Sequence, residues 1–580
     1  MDNINKSFNL FNEKKHYILF LILAAALTLR IWGMWHGFPY LYKVDEGHEV
    51  LRAMRLGTGS FDFNRIVKGG YFYLLFVEYA IYFLILKIVG TVQSATEFAQ
   101  MFIREPWSFY LIGRITTALI GTLNVFIVYL IGKEIYSKKA GLIAALFLAV
   151  NFLHASNSQN ITVDVPMACL ATIALLYAIR IVQSGENSCY IKAAFFSGLA
   201  VITKMPAIML LVPLAVAHYF NISKEDHKLK EFFFGKKTVT ALLIFMAVVC
   251  LGNPGLLLKF SKVVHNVLYR FFSDAPSSLT NPRTQYLIDP PNLFLYYFTA
   301  LKTAMGLPLF LFSLAATVYG MYRRNKEDIV LIAFMLIYYI VFSLSRDPHQ
   351  YYPRYMLPIL PVLALLSSSL LSRMTSKFSF NLQTAILLIS VCVLVIEPGY
   401  RIILRDYRYS HKDTRTFAKE WIENNIPANS KVLIEGSRTK PINTTVPLQN
   451  SRENILKSIE NYKDEEPGKE KYYEFKLGVL SGVTYDLIMI GPPIGEPDFR
   501  LKPLSHYKKI GVEYMVLRPD LYIHHRKLKK LKSFVQSLKS DPEVKLLKRF
   551  EPDRLTRPGP AIEIYQIKSE KYLKTPNKVY

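Results

Sequence analysis

Stretches of uninterrupted apolar residues alternate with short polar turns from residue 17 to residue 396, and there the pattern stops. Runs such as 17–35, 110–131 and 294–319 come close to the roughly 20 residues that a helix needs to cross a bilayer core. The first run is too long for a signal peptide, and Trp32, Trp35 and Tyr40 stand where small residues would mark a cleavage site. The spans expected from the pattern are 18–35, 110–131, 140–153, 165–181, 191–203, 205–220, 239–251, 294–319, 329–344, 355–371 and 384–396. The chain is thus expected to be a polytopic α-helical membrane protein of about eleven transmembrane helices.

Charge fixes how these spans are counted. Lysine and arginine concentrate in the cytoplasmic loops of membrane proteins. Lys6, Lys14 and Lys15 put the N-terminus in the cytoplasm, and the basic loops 133–139, 224–237, 323–326 and 373–377 belong on the same side. This holds only if residues 71–89 form a helix lying in or dipping into the outer interface. It also requires 192–218, interrupted by Lys204-Met205-Pro206, to be a tight hairpin of two short spans. The count is then odd, and whatever follows residue 396 lies outside.

Beyond that point the composition turns polar and rich in lysine and proline. An amphipathic helix at 413–424 is followed by apolar strands at 431–435, 485–490, 513–517 and 561–567. Two domains are expected: 1–399 in the membrane, including an outer loop at 36–109, and a small extracytoplasmic α/β domain at 400–580. No internal repeat is found.

The chain carries 70 Lys and Arg against 44 Asp and Glu, a net charge of +26. No nucleic-acid motif accompanies the excess, which is explained by membrane orientation and anionic lipid, so no nucleic-acid partner is expected. Cys169, Cys189, Cys250 and Cys392 lie in or beside apolar runs without a Cys-x-x-Cys spacing, which argues against disulfides and cysteine metal sites.

The chemistry is expected at the outer helix ends. The first outer loop reads P-Y-L-Y-K-V-D-E-G-H-E, with Asp45 and Glu46 about ten residues past the first span, followed by a short interfacial helix marked by Val50, Ala53 and Met54. An acidic pair at that place is also a good helix cap. Lys68, Arg114, His154, Asp164, Lys204 and Arg354 fall at the same outer ends. Basic residues held there, against the charge bias, suggest an anionic ligand at the membrane surface, with snorkelling to headgroups as the plainer alternative.

The acidic pair, K-G-G-Y-F-Y-L, G-R-I-T-T-A-L-I-G-T-L, H-A-S-N-S-Q-N-I-T-V-D-V-P, T-K-M-P-A and P-R-Y-M-L-P occur in one order over residues 15–370. The ordered set resembles the protein O-mannosyltransferase and aminoarabinose-transferase (ArnT-like) superfamily of GT-C glycosyltransferases, as a prokaryotic member. The tail shows no β-trefoil of the kind that eukaryotic protein mannosyltransferases carry. The resemblance implies a GT-C fold, a polyprenyl-phosphate sugar as donor, and an acceptor hydroxyl on a lipid, glycan or protein. It implies Asp45 as general base with Glu46 orienting the acceptor. Arg114, Lys68, Lys204 and Arg354 would hold the donor phosphate, and Asp164 and His154 would be auxiliary. Displacement at the anomeric carbon would invert it. No cofactor is expected to be required, although Asp45, Glu46, His48, Glu49 and His154 could together hold a divalent metal. The expected location is the plasma (inner) membrane.

Two other readings compete. A metal-dependent oligosaccharyltransferase-like enzyme would need the divalent ion for turnover. A non-enzymatic lipid or sugar transporter would show inverted repeats and charges at the bilayer midplane, where only Lys302, and Glu78 if its helix spans, come near.

Overall fold

The computed structural model describes residues 2–43, 45–57, 69–222, 228–261, 264–265, 292–345, 352–435, 445–463, 467–490, 502–519 and 529–568. The chain folds as a polytopic helical membrane protein with a C-terminal α/β region. Among the described residues eight helices are long and apolar enough to cross a membrane, or ten if each of two bent pairs is one span. Small residues let the helices close on one another: a Cβ on Gly132 would lie 2.8 Å from the Cα of Gly141.

Two expected spans change shape. Residues 140–153 divide into Lys138–Ala149 and Phe152–Ser158, bent by 64°. Asn151 makes the break, because its side chain caps the second helix by accepting from the His154 N–H at 3.0 Å. The single span expected at 294–319 is corrected to two helices, Leu293–Met305 and Leu307–Arg323, folded by 115°. Gly306 turns the corner at φ 75°, where a side chain would be strained, and Glu397 accepts from the Leu307 N–H at 2.7 Å.

The two segments on which the span count depends are both helical. The chain breaks at Lys204, between Asn187–Thr203 and the turn Met205–Leu210. Tyr190, near the start of the first helix, then meets His218, near the end of Leu211–Ile222, at 2.7 Å, so the pair is a hairpin. Gly70–Ile88 is long and apolar enough to cross. Its start is tied to Gly113 and Thr117 through Tyr71, and Tyr79 bonds to the Phe109 carbonyl nearer the N-terminal end of Trp107–Ile135. Thr91 and Val92, just past its end, line a cavity of about 270 Å³ with Gly478 and Val479 of the C-terminal region. Both ends of this helix therefore lie on one side of the bundle.

The basic loops gather at the opposite end. Tyr136 donates to Asp328, Arg323 lies 3.4 Å from the same carboxylate, and the Lys326 ammonium lies 5.7 Å from the Phe220 ring centre. Tyr136, Phe220, Arg323 and Lys326 thus share one end of the bundle.

Helix Phe380–Tyr409 runs unbroken across the expected domain boundary, carrying Pro398 within it. Asp413 then caps Thr414–Asn425, its Oδ1 accepting from the Arg415 N–H at 2.9 Å. The sheet that follows contains β1 (Lys431–Glu435), β2 (Gln449–Asn450), β3 (Thr484–Ile490), β4 (Tyr514–Leu517), β5 (Val544–Phe550) and β6 (Ile562–Ile567), in the order β2-β3-β1-β4-β6-β5. β1 pairs in parallel with β3 and β4, and β6 runs antiparallel to β4 and β5. The four strands expected from apolar runs are β1, β3, β4 and β6. β2 and β5 lie at the edges, where V-K-L-L-K-R-F lacks the apolar continuity of a buried strand.

Candidate active site

A chain of alternating charges links four of the expected residues. Asp45, just before helix Glu46–Leu56, takes Arg354 Nη1 on its Oδ2 at 2.7 Å. Arg354 Nε lies 3.5 Å from Asp164 Oδ2, and Asp164 Oδ1 holds Lys204 Nζ at 2.5 Å. Thr162 adds a hydrogen bond to Asp164 at 3.0 Å. Each member comes from a different element, so only the fold unites them. Lys204 sits in the hairpin break, Asp164 opens Asp164–Ser184, and Arg354 begins the 3-10 turn Pro353–Ile359.

The chain is graded in exposure. The Asp45 side chain is 60% exposed, Arg354 23%, and Asp164 and Lys204 are buried. The Arg354 guanidinium stacks over Tyr352, and the Lys204 ammonium lies 3.9 Å from the centre of Tyr355. Those tyrosines flank Arg354 in Y-P-R-Y; sequence reasoning passed over them, although aromatic residues beside a cation were the available signal.

Glu46 and Arg114 form a separate, closed pair. Arg114 Nε and Nη2 donate to the two Glu46 oxygens at 2.8 and 2.7 Å, and both side chains are 1% exposed. Arg114 Nη1 donates to the carbonyls of Met34 and His36, and the guanidinium lies 4.3 Å from the Phe38 ring centre. Glu46 Oε1 also accepts from the Ile161 N–H at 3.0 Å. Arg114, expected at the donor phosphate, thus spends four of its five N–H groups inside the protein. Glu46, expected to orient the acceptor, has both oxygens engaged.

His154 lies in a third, fully buried cluster. Its Nδ1 takes Arg30 Nη2 at 2.9 Å, and its Nε2 lies 3.1 Å from the Asn124 amide. An arginine can only donate, so Nδ1 accepts. Neither contact reaches Asp45. Lys68 lies outside the described residues. Among the described residues no three His, Cys, Asp or Glu side chains are placed to hold a metal ion together.

Near Glu46 lies a cationic cluster that sequence reasoning missed. Lys43 donates to Asn160 and lies 5.5 Å from the Tyr409 ring centre, on which Arg405 also stacks at 4.3 Å. His36 stacks on Tyr409 at 4.1 Å, with its Nε2 3.7 Å from Asp413. Burial first, and then the Arg405 charge, holds the Lys43 ammonium well below the ordinary lysine range. Burial, followed by Lys43, Arg415, Arg114 and Arg405, holds His36 well below its ordinary value and keeps it neutral. Tyr42, donating to or accepting from Thr416 at 2.8 Å, completes the seat of the C-terminal region on the loop.

Comparison with known proteins agrees with this architecture. Residues 98–251 match the family model described as dolichyl-phosphate-mannose-protein mannosyltransferase. An uncharacterised protein of Aquifex aeolicus (strain VF5) is 23% identical over 272 residues, 46% of this chain and 50% of that relative, so the match spans half the relative's length. The crystal structure of ArnT from Cupriavidus metallidurans bound to undecaprenyl phosphate superposes with a TM-score of 0.50 at 15% identity, covering 96% of this chain and 99% of that one. The archaeal oligosaccharyltransferase AglB of Archaeoglobus fulgidus gives a TM-score of 0.49 at 14% identity, over 98% of this chain and 75% of its own. The fold is that of ArnT, and the resemblance read from the ordered motifs holds both in the matched segment and in the fold.

Proposed function

We propose that the chain is an inverting membrane glycosyltransferase that moves a single sugar from a polyprenyl-phosphate donor to an acceptor hydroxyl on the extracytoplasmic side. The observation that carries this reading is the graded chain Asp45–Arg354–Asp164–Lys204, with its accessible end a carboxylate and its interior cationic. ArnT, whose fold this chain shares, was crystallised with undecaprenyl phosphate, which supports the same donor class here.

In this mechanism the acceptor oxygen attacks the anomeric carbon while Asp45 takes its proton. The bond from the anomeric carbon to the phosphate oxygen breaks, and its electron pair leaves with the lipid phosphate. Arg354, Lys204 and Lys68 meet that growing charge, and fixed cations in a partly dry site do so with little reorganisation. Asp164 holds Arg354 and Lys204 in register. Arg114 and Glu46 act one step back, anchoring the outer loop so that Asp45 faces the sugar.

Mass spectrometry of lipids co-purified in mild detergent tests the donor class directly. A polyprenyl-phosphate hexose or pentose is the expected finding; a pyrophosphate-linked glycan would favour the oligosaccharyltransferase reading. Turnover after chelation separates the two again, since only that second reading requires a divalent ion. For orientation, cysteine at the exposed Glu453 should react with an impermeant reagent from outside and cysteine at the exposed Arg324 should not. The reverse labelling would invert the assignment of sides.

A further inference from the structure

We propose that Gln159 is a positioning residue that couples helix Phe380–Tyr409, the base of the C-terminal region, to the carboxylates of the active site. The inference rests on the glycosyltransferase reading above. Gln159 is 1% exposed and engaged at both ends of its amide. Nε2 donates to Asp406 Oδ1 and to the Leu29 carbonyl, each at 2.7 Å, and Oε1 accepts from Arg405. The fit leaves no slack, because a Cβ on Gly33 would fall 2.6 Å from Gln159 Oε1 and 2.7 Å from Asp406 Oδ1.

From Gln159 the chain reads Q-N-I-T-V-D, and successive residues grip successive parts of the site. Asn160 accepts from Lys43, the Ile161 N–H holds Glu46 at 3.0 Å, and Thr162 bonds Asp164 at 3.0 Å. Asp164 then holds Lys204 and Arg354, whose Nη1 reaches Asp45. The six residues can span no more than about 20 Å, and these contacts are largely buried, so little solvent is present to absorb a displacement. A shift of Asp406 is passed to Glu46 on one side of the loop and to Asp164 on the other. Arg405 closes a second route, since it stacks on Tyr409, which stacks on His36, whose carbonyl holds Arg114.

The test uses full-length protein in vesicles carrying the polyprenyl-phosphate sugar that co-purifies with the wild type; binding is read separately with undecaprenyl phosphate. Gln159→Leu keeps the volume and removes the three hydrogen bonds. Its kcat should fall roughly 10–100-fold, because small misplacements of reacting groups cost up to about 10²-fold. Undecaprenyl-phosphate binding should stay within about twofold, the signature of an interaction felt in turnover and not in ground-state binding. Gln159→Glu and Asp406→Asn should each lower kcat. Combined, they reverse the polarity of their shared hydrogen bond and should recover part of the loss, the Leu29 carbonyl remaining without its donor, a coupling that a double-mutant cycle reads.

Wild-type kcat in Gln159→Leu would overturn the coupling. So would parallel loss of kcat and binding, which marks a merely structural role, or a double variant no better than the worse single one. A wild type that neither co-purifies with a polyprenyl-phosphate sugar nor binds undecaprenyl phosphate would remove the glycosyltransferase reading and this inference with it.

Discussion

Asp45 and Glu46 are neighbours in the chain with opposite surroundings. Glu46 is sealed against Arg114 by two hydrogen bonds and a backbone N–H, both side chains 1% exposed. Asp45 is 60% exposed and shares a single arginine with Asp164. A buried bidentate pair has excellent geometry and no room for a third party, which suits anchoring. An accessible carboxylate at the end of a chain of alternating charges suits proton transfer. Under the proposed reading, chemistry and scaffolding fall to consecutive residues, one exposed ahead of helix Glu46–Leu56 and one buried at its start.

The widest separation should come from Asp45→Asn. The change is nearly isosteric, so folding and donor binding survive, while loss of a general base typically lowers the rate by ~10²–10⁴-fold. Sugar transfer and donor retention measured side by side decide it. Near-normal turnover would shift the base to Asp164.

Glu46→Gln should act on stability first. It leaves the Arg114 cation buried without its counter-ion, which typically costs ~3–5 kcal/mol. Thermal unfolding in detergent checks this. An unchanged melting temperature with lost turnover would break the division and return Glu46 to the acceptor, as the sequence suggested.

Arg354→Lys sharpens the open side. The charge remains, but a point charge cannot keep both Asp45 and Asp164 in the reach of a planar fork. Turnover should fall on the order of tenfold, with donor binding less affected, since one charge-assisted hydrogen bond contributes about 1.5–3 kcal/mol. A full loss of donor binding would make Arg354 the main phosphate contact.

The smallest effect should follow pH at the seat of the C-terminal region. His36 is neutral between Tyr409, Asp413 and the cations Lys43, Arg405, Arg114 and Arg415, with its pKa depressed below the unfolded value of about 6.5. Below about pH 6.5 the unfolded chain binds a proton that the folded one refuses, so stability declines as pH falls toward the lower folded pKa. His36→Gln should flatten that part of the melting-temperature profile. An unaltered profile would place the pH sensitivity elsewhere.

The sequence by itself determined the membrane class, the break at Lys204 and four of six strands. Each of these follows from local apolar periodicity or from charge counted along the chain, which need no partner to be legible. Lys204 and Arg354 were also visible, as basic residues kept where membrane orientation disfavours them, and Asp45 and Asp164 through the ordered motifs. Tertiary structure alone decided which of those charges meet. Arg114 is chemically indistinguishable from Arg354 until packing turns it onto Glu46, 68 positions away, and seals both from water. His154 is likewise withdrawn to Arg30 and Asn124. The fold at Gly306 and the joining of Gln159 to Asp406, 247 residues apart, depend on contacts that exist only once the bundle has closed.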